Sequence, residues 1–446
     1  MKKEWLLSIG ITVLTVVVVI GLIRLYAPQL IGGGRDLQLV QASKEVPPFF
    51  DNVFRKQDYE SLEIAIQDPY VKRAKPLFFQ EEYGMGPHDI LGFRNRAIPN
   101  LADVVTIGDS MTYGNNALLA GNWPSQMQAM LGNGRTTVYN MAVGGWGAAE
   151  YLAMFDKALL FQPEVIVIAF YSGNDALETF QQAYGNKRYA FLKLDQTLKS
   201  SDMPKVVYPA PESEWWRVQF KDRVSTIFTP KLRHSSNQQH PAVRAGYAGM
   251  AEAGRMMGQM ARRNHQVKLV FTIIPTKELV YTVKVAQDGI IPPADYQALV
   301  TDEHDNIRWL ADELGKVPGT IFVDVVTPLQ EAAKQATPLY PENNNGHPIE
   351  AGYRIIARTL AVTVQPFLSD QIEGLVAFRK DENHSSAFLV RDGKAWFVPS
   401  FDIARQNGWS SDNIPLTDER KIRRLPLVGV MNRVDATRFG PHKISR

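Results

Sequence analysis

The chain has 446 residues, 45% of them hydrophobic and 21% charged, which is a globular composition and too long for one ordinary domain. Its net charge of +3 is too small and too dispersed for a nucleic-acid footprint. There is no cysteine, which excludes disulfide scaffolds, thiolate catalysis and cysteine–zinc sites and is compatible with an oxidising compartment.

Met1-Lys2-Lys3-Glu4 precedes an apolar run from Trp5 to Tyr26, interrupted only near its end by Arg24. About 22 residues at roughly 1.5 Å rise cover the hydrocarbon core of a bilayer. The run is Val-rich and apolar on all faces, which does not suit a half-buried core helix. A cleaved signal peptide has a shorter apolar region, and Ala27-Pro28 offers no small-residue cleavage site. The expectation is an uncleaved transmembrane anchor over residues 5–26, within a segment 1–28. Lys2 and Lys3 keep the N-terminus cytoplasmic, so the bulk is expected on the periplasmic side of a bacterial inner membrane. Arg24 snorkels to the far interface.

Residues 29–100 read as a linker and N-terminal extension, with a flexible break at Gly32-Gly33-Gly34 and no clear period. His88-Asp89-Ile90-Leu91-Gly92-Phe93-Arg94 leads into the first strand. Arg94 is either part of a structural turn under the sheet or a substrate contact.

From Leu101 strands are expected near 104–107, 136–140, 165–170, 267–273 and 320–324. Helices are expected near 122–132, 147–160, 242–264, 292–315 and 349–367. Short β-branched runs alternating with helical patterns predict an α/β domain over 101–370, a parallel sheet covered on both faces. After Asp175 the pattern breaks, giving an insert over 176–241 that holds Tyr184, Tyr189, Tyr208, Trp215, Trp216 and Phe220. It is either an aromatic saccharide groove, with Trp215 and Trp216 as substrate contacts, or a small local core. Residues 371–446 read as a small C-terminal α+β module. It has a hairpin over 389–398 turning at Asp392-Gly393 and a short helix within 399–407 closed by Gly408.

The chemistry centres on Gly108-Asp109-Ser110-Met111-Thr112-Tyr113-Gly114, between the strand Val104–Ile107 and a helix start at Asn122-Trp123-Pro124. A serine at a strand end, flanked by glycines and followed by a helix, is where an α/β sheet exposes a nucleophile, although Gly-Asp-Ser is also good turn chemistry. Serine needs a base to take its proton. Of the eight histidines, only His347 sits in a turn-like stretch, Asn343-Asn344-Asn345-Gly346, directly before Pro348 and a helix.

Three further stretches accompany the serine: Asn140-Met141-Ala142-Val143-Gly144-Gly145, Gly173-Asn174-Asp175 and Gly346-His347-Pro348. In this order they resemble the four signature blocks of the SGNH/GDSL hydrolase superfamily, over roughly residues 104 to 360. The resemblance implies a flavodoxin-like three-layer fold, Ser110 as nucleophile, His347 as base, and no cofactor or metal. It assigns the oxyanion donors to the backbone N–H of Ser110, the backbone N–H of Gly145 and the side-chain amide of Asn174. The residue types agree, since glycine after a strand lets its N–H face a ligand and Asn carries two donors. Asn140, Asp109 and Asp175 read as braces.

One departure stands out. The family places an aspartate two or three residues before the histidine, where this chain has Asn345 and Asn344. An asparagine oxygen holds the right tautomer but does not stabilise an imidazolium by charge. The open alternatives are a slow triad, a Ser–His dyad, or a carboxylate recruited from Glu342 or Asp324.

Ile274-Pro275-Thr276-Lys277-Glu278 resembles stretches of exported superfamily members linked to exopolysaccharide acetylation, the alginate group included. Lys277 is then a contact for an acidic sugar, or simply an exposed lysine at a helix start. The C-terminal pattern through Asp392-Gly393-Lys394 resembles a short module of bacterial cell-surface proteins. The expected function is a membrane-anchored, exported serine enzyme acting on O-acetyl groups of carbohydrate, as acetyltransferase or acetylesterase. Its expected partners are a carbohydrate or acyl-ester substrate and polysaccharide-modification proteins, with no nucleic acid. The alternatives are a plain esterase or lipase, and a catalytically silent glycan-binding or assembly protein.

Overall fold

The computed structural model describes residues 71 and 74–431, apart from 100, 132–135, 206–209, 264–266, 369–373, 380–384, 392–393, 411–413, 418–421, 423–424 and 426. The anchor expected over 5–26 and the break at 32–34 lie outside the described residues. Among the described residues no helix is long and apolar enough to cross a membrane.

The elements are, in chain order, β1 (Val104–Gly108), α1 (Ser110–Tyr113), α2 (Trp123–Met130), β2 (Val138–Ala142), α3 (Ala148–Ala158), β3 (Val165–Tyr171) and α4 (Asp175–Gly185). They continue with β4 (Trp216–Gln219), β5 (Ser225–Phe228), α5 (Pro241–Arg263), β6 (Lys268–Ile274), α6 (Lys277–Val280), α7 (Thr282–Gln287) and α8 (Ala294–Gly315). The last are β7 (Thr320–Val323), α9 (Val326–Ala333), α10 (Glu350–Val364), β8 (Gly374–Arg379), β9 (Ser385–Arg391), β10 (Lys394–Val398), α11 (Phe401–Gln406) and β11 (Leu427–Val430).

The main sheet is parallel, in the order β2-β1-β3-β6-β7. This is the doubly wound order of flavodoxin-like folds. Strand side chains alternate between faces, and here both faces are apolar. Val105, Ile107, Ile166, Ile168 and Phe271 join one core with α3, α4 and α5. Val104, Val165, Val167, Ala169 and Val270 join the other with α2, α9 and α10. Two cores on opposite faces of one sheet make three layers. The longest helix among the described residues, α5, buries Val243, Met250, Met257 and Ala261, an apolar stripe at helical spacing.

The main departure is the insert, which opens with α4, a helix absent from the expected set. Its buried Ala176, Leu177, Phe180 and Ala183 stand at helical spacing, and Tyr189 and Leu192 cover them. Helix α9 was hidden as well, because Val325-Val326-Thr327 prolongs the β-branched run of β7. The rest of the insert carries the antiparallel pair β4–β5. Trp216 packs there at 5.2 Å from Phe228 and 4.7 Å from Tyr296, between ring centroids. Phe220 and Tyr189 are therefore core residues, which corrects the groove reading for them, while Trp216 is half-buried and packs against the core.

The C-terminal residues form a separate sheet, β11-β10-β9-β8, with its own small cores. The expected hairpin is β9 paired antiparallel with β10; its turn, 392–393, lies outside the described residues. Helix α11 is capped by Ser400, and Gly408 follows it at φ +90°.

Candidate active site

Strand order reverses across β1, because the chain passes first to β2 on one side and then to β3 on the other. The crevice at the carboxyl ends of such strands is where open α/β sheets bind ligands. Gly108 is in register with Ala142 and Ala169. The loops bearing Ser110, Gly145 and Asn174 therefore leave the same sheet edge side by side.

Ser110 is the first residue of α1. Asp109 caps this helix, accepting from the Met111 N–H at 2.9 Å. An N–H at the first helical position has no intrahelical acceptor, so the Ser110 N–H belongs to the orphan donors of a helix start. Asn140 braces the turn, donating to the Thr112 carbonyl at 2.9 Å. Arg94 is fully buried and locks the loop that follows. Its guanidinium donates to the carbonyls of Gly86 at 2.7 Å, Gly114 at 2.6 Å and Ala117 at 2.8 Å. Of the two readings of Arg94, the structural one holds.

The histidine loop arrives from far along the chain. His347 Nε2 lies 2.7 Å from Ser110 Oγ. On the other side of the ring, Nδ1 lies 2.8 Å from Asn345 Oδ1, which also accepts the His347 backbone N–H at 3.0 Å. The ring thus carries its proton on Nδ1 and turns the Nε2 lone pair toward the serine. Asn345, rather than Asn344, is the residue that meets the imidazole. With Nδ1 taken, neither Glu342 nor Asp324 orients the ring; Asp324 instead accepts the Val326 N–H at 2.8 Å, at the start of α9.

Asn116 ties the two loops together. Its Nδ2 donates to the His347 carbonyl at 3.0 Å, and its Oδ1 accepts from Asn345 Nδ2 at 2.9 Å. It sits at φ +67°, a conformation Asn tolerates better than most residues. Sequence reasoning missed it; the only local signal is an Asn pair after a glycine.

Lys277 corrects both of its expected roles. It is fully buried, and its Nζ donates to the carbonyls of Asn343 at 2.8 Å and Asn345 at 3.1 Å. It is neither an exposed lysine nor available to a sugar; it holds the histidine loop by its backbone. Arg233, from the insert, covers the same loop. A Cβ at Gly346 would run into the Arg233 guanidinium, so a larger residue before the histidine would have to displace it. Arg233 Nε in turn pairs with buried Glu278 Oε2 at 3.2 Å.

Burial, then Arg233, then Lys277 lower the His347 pKa to about 3. His347 is half-buried as a residue, and its ring is neutral across the ordinary pH range. Burial also lowers Lys277 to about 7. Asp109 lies beneath the serine, with Ser110 Oγ at 3.2 Å from its Oδ2, and burial raises it to about 7. Asp175 accepts from the Tyr151 hydroxyl at 2.8 Å and the Tyr171 N–H at 2.9 Å, bracing the exit of β3.

Gly145 stands at φ +75°, in the region that favours glycine. Asn174 precedes α4 and is half-buried. Trp215 is half-buried too, with the Arg217 guanidinium 4.8 Å above its ring.

Residues 106–355 match the model of the GDSL-like Lipase/Acylhydrolase family, a span that takes in Ser110, Gly145, Asn174 and His347. Among solved structures, a GDSL-like lipase from Bacteroides thetaiotaomicron is similar at 14% identity, over 59% of this chain and 88% of that one, with a TM-score of 0.31. An acetylxylan esterase from Geobacillus stearothermophilus, solved as a catalytic mutant, is similar at 13% identity, over 60% and 96%, with a TM-score of 0.32. No curated protein matches the chain.

Proposed function

This chain belongs to the GDSL-like lipase/acylhydrolase family, whose members are ester hydrolases, and from that premise we propose that it turns over O-acetyl esters of carbohydrate through an acyl-enzyme on Ser110. The observation that carries the reading is the unbroken relay from Ser110 Oγ through His347 to Asn345, at 2.7 and 2.8 Å.

Ser110 Oγ attacks the ester carbon while its proton passes to His347 Nε2, and the carbonyl electrons move onto oxygen. The donors for that oxyanion are the N–H groups of Ser110 and Gly145 and the amide of Asn174, each worth roughly 10²–10³ in rate. The tetrahedral species collapses, the C–O bond to the alcohol breaks, and the proton on Nε2 leaves with the alcohol. Water or a second sugar hydroxyl then gives its proton to Nε2 and attacks the acyl carbon, releasing Ser110. Water makes the chain an acetylesterase; a sugar hydroxyl makes it an acetyltransferase. Asn345 keeps the tautomer that lets Nε2 accept throughout.

Carbohydrate is favoured by the partly exposed Trp215 in the insert and by the likeness of the C-terminal pattern to a cell-surface module. Residues 5–26 would anchor the enzyme in the membrane, with the site on the periplasmic side.

The test is labelling of the full chain with a serine-directed fluorophosphonate, alongside turnover of an aryl acetate and an acetylated polysaccharide. An adduct on Ser110, abolished in Ser110→Ala and slowed in His347→Ala, is the expected result. No adduct and no turnover would favour a silent glycan-binding protein; turnover of the aryl acetate alone would favour a plain esterase.

A further inference from the structure

Glu303 lies on α8, fully buried, and has no part in the relay above. Its carboxylate accepts from the Ser172 hydroxyl at 2.5 Å. It also accepts from the Thr276 N–H at 2.8 Å and the Thr276 hydroxyl at 2.6 Å. These two partners leave neighbouring strands. The β3–β6 ladder ends at Tyr171 paired with Ile274. Ser172 is the first residue past that ladder on one strand, and Thr276 lies just past it on the other.

Each partner sits beside one half of the site. Ser172 is two residues before Asn174, the oxyanion amide. Thr276 directly precedes Lys277, whose ammonium holds the carbonyls of Asn343 and Asn345 beside His347. Past the ladder one backbone bond remains, from the Ser172 N–H to the Ile274 carbonyl at 3.1 Å, and beyond it the spacing of the two loops falls to side chains. We infer that Glu303 is a positioning residue, which clamps the loop of the oxyanion donor to the loop that holds the base.

The inference rests on the reading of Ser110, His347 and Asn174 given above. Its chemistry is that of an acceptor. A carboxylate offers about four lone-pair sites, enough for all three donors at once. Without it, the Thr276 N–H loses its acceptor and both hydroxyls lose their short bonds, the Ser172 hydroxyl keeping only the Ile274 carbonyl at 3.3 Å.

Glu303→Gln keeps an acceptor oxygen for Ser172 and the Thr276 N–H, and its amide N–H donates to the Thr276 hydroxyl in place of receiving from it. Glu303→Ala keeps none of this. Turnover is measured per active site, counted by fluorophosphonate titration, so that unfolded molecules do not enter. The Ala variant is expected to lose about 10²-fold in kcat, the scale of an ångström misplacement, with KM within roughly threefold of wild type. The Gln variant is expected to return to within roughly threefold of wild-type kcat. A merely structural Glu303 predicts fewer titratable sites but unchanged kcat per site, and that result overturns the inference, as does a Gln variant no better than Ala.

A readout independent of turnover separates this from the functional reading. The His347 ring resonances, followed by NMR, are expected to shift in Glu303→Ala and to stay near wild type in Glu303→Gln. If wild type neither labels nor turns over substrate, the functional reading fails; the ring resonances then decide the clamp, and unshifted resonances in Glu303→Ala overturn it.

Discussion

Asn345 offers one carboxamide oxygen to both the ring and the backbone of His347, at 2.8 Å from Nδ1 and 3.0 Å from the backbone nitrogen. Its other end, Nδ2, donates to Asn116 Oδ1 at 2.9 Å, so the amide cannot turn over without losing all three bonds. A neutral side chain here is held as firmly as a carboxylate would be. What it lacks is charge.

The first prediction is a pH profile. The base works when neutral, and burial with two nearby cations lowers its pKa to about 3. The acid limb of kcat/KM is therefore expected well below the ordinary histidine value of about 6.5, with activity retained at pH 5. Asn345→Asp places a carboxylate beside Nδ1, which favours the charged ring and moves that limb upward. The same charge stabilises the imidazolium formed during attack. The gain in kcat at pH 8 is expected to be about tenfold, far short of the roughly 10⁴ associated with that charge in serine proteases. The reason is Asn116, whose Oδ1 would then face a carboxylate oxygen. Asn344→Asp is expected to change neither the limb nor kcat; rate profiles of the three proteins check this.

A second prediction concerns Lys277. Replacing it by Met frees the Asn343 and Asn345 carbonyls, and kcat is expected to fall at least about tenfold with KM little changed. Stability should move the other way with pH. The folded chain lowers Lys277 to about 7, below its unfolded value of about 10.5. Between these values the unfolded chain binds more protons, so the wild-type contribution rises as pH rises from 7 to 10.5. Denaturant midpoints of wild type and Lys277→Met, compared at pH 7 and pH 10, should diverge in that direction.

Asp109 gives a third. Burial raises it to about 7, above an unfolded value near 3.9, so its contribution to stability falls as pH rises between the two. Once ionised it also competes with His347 Nε2 for the Ser110 hydroxyl proton. Asp109→Asn keeps the cap on Met111 and directs an N–H at Oγ instead. The variant is expected to be more stable than wild type at pH 8 and to lose the downturn in kcat above about pH 7. Thermal melts and rates across pH 6 to 9 test both halves.

Arg94 gives the fourth. Its guanidinium is the donor for carbonyls of Gly86, Gly114 and Ala117 in a fully buried place. Arg94→Met takes the guanidinium from these carbonyls, leaving Ala117 only a 3.4 Å bond from the Gly84 N–H, and is expected to cost at least about 3 kcal/mol. Arg94→Lys keeps the charge without the planar fork and is expected to recover less than half of that. Urea denaturation of the three proteins gives the numbers. A substrate role would instead leave stability unchanged and raise KM.

The alternation of short apolar strands with amphipathic helices already determines a covered parallel sheet, because periodicity is a local property of the chain. Turn chemistry is local as well, which is why Ser110 in its glycine-flanked turn and His347 in its asparagine loop stand out in the sequence itself. Helices α4 and α9 escaped because one follows a loop rich in turn residues and the other continues a β-branched run. The choice of Asn345 over Asn344, the burial of Lys277, the place of Arg233 over Gly346 and the bridging by Asn116 and Glu303 belong to tertiary structure alone. Asn116 meets His347 across 231 residues and Lys277 meets Asn343 across 66. Which polar side chain finds which carbonyl depends on the loops that the strand order brings to one edge of the sheet, and that order is decided by packing both faces of the sheet at once.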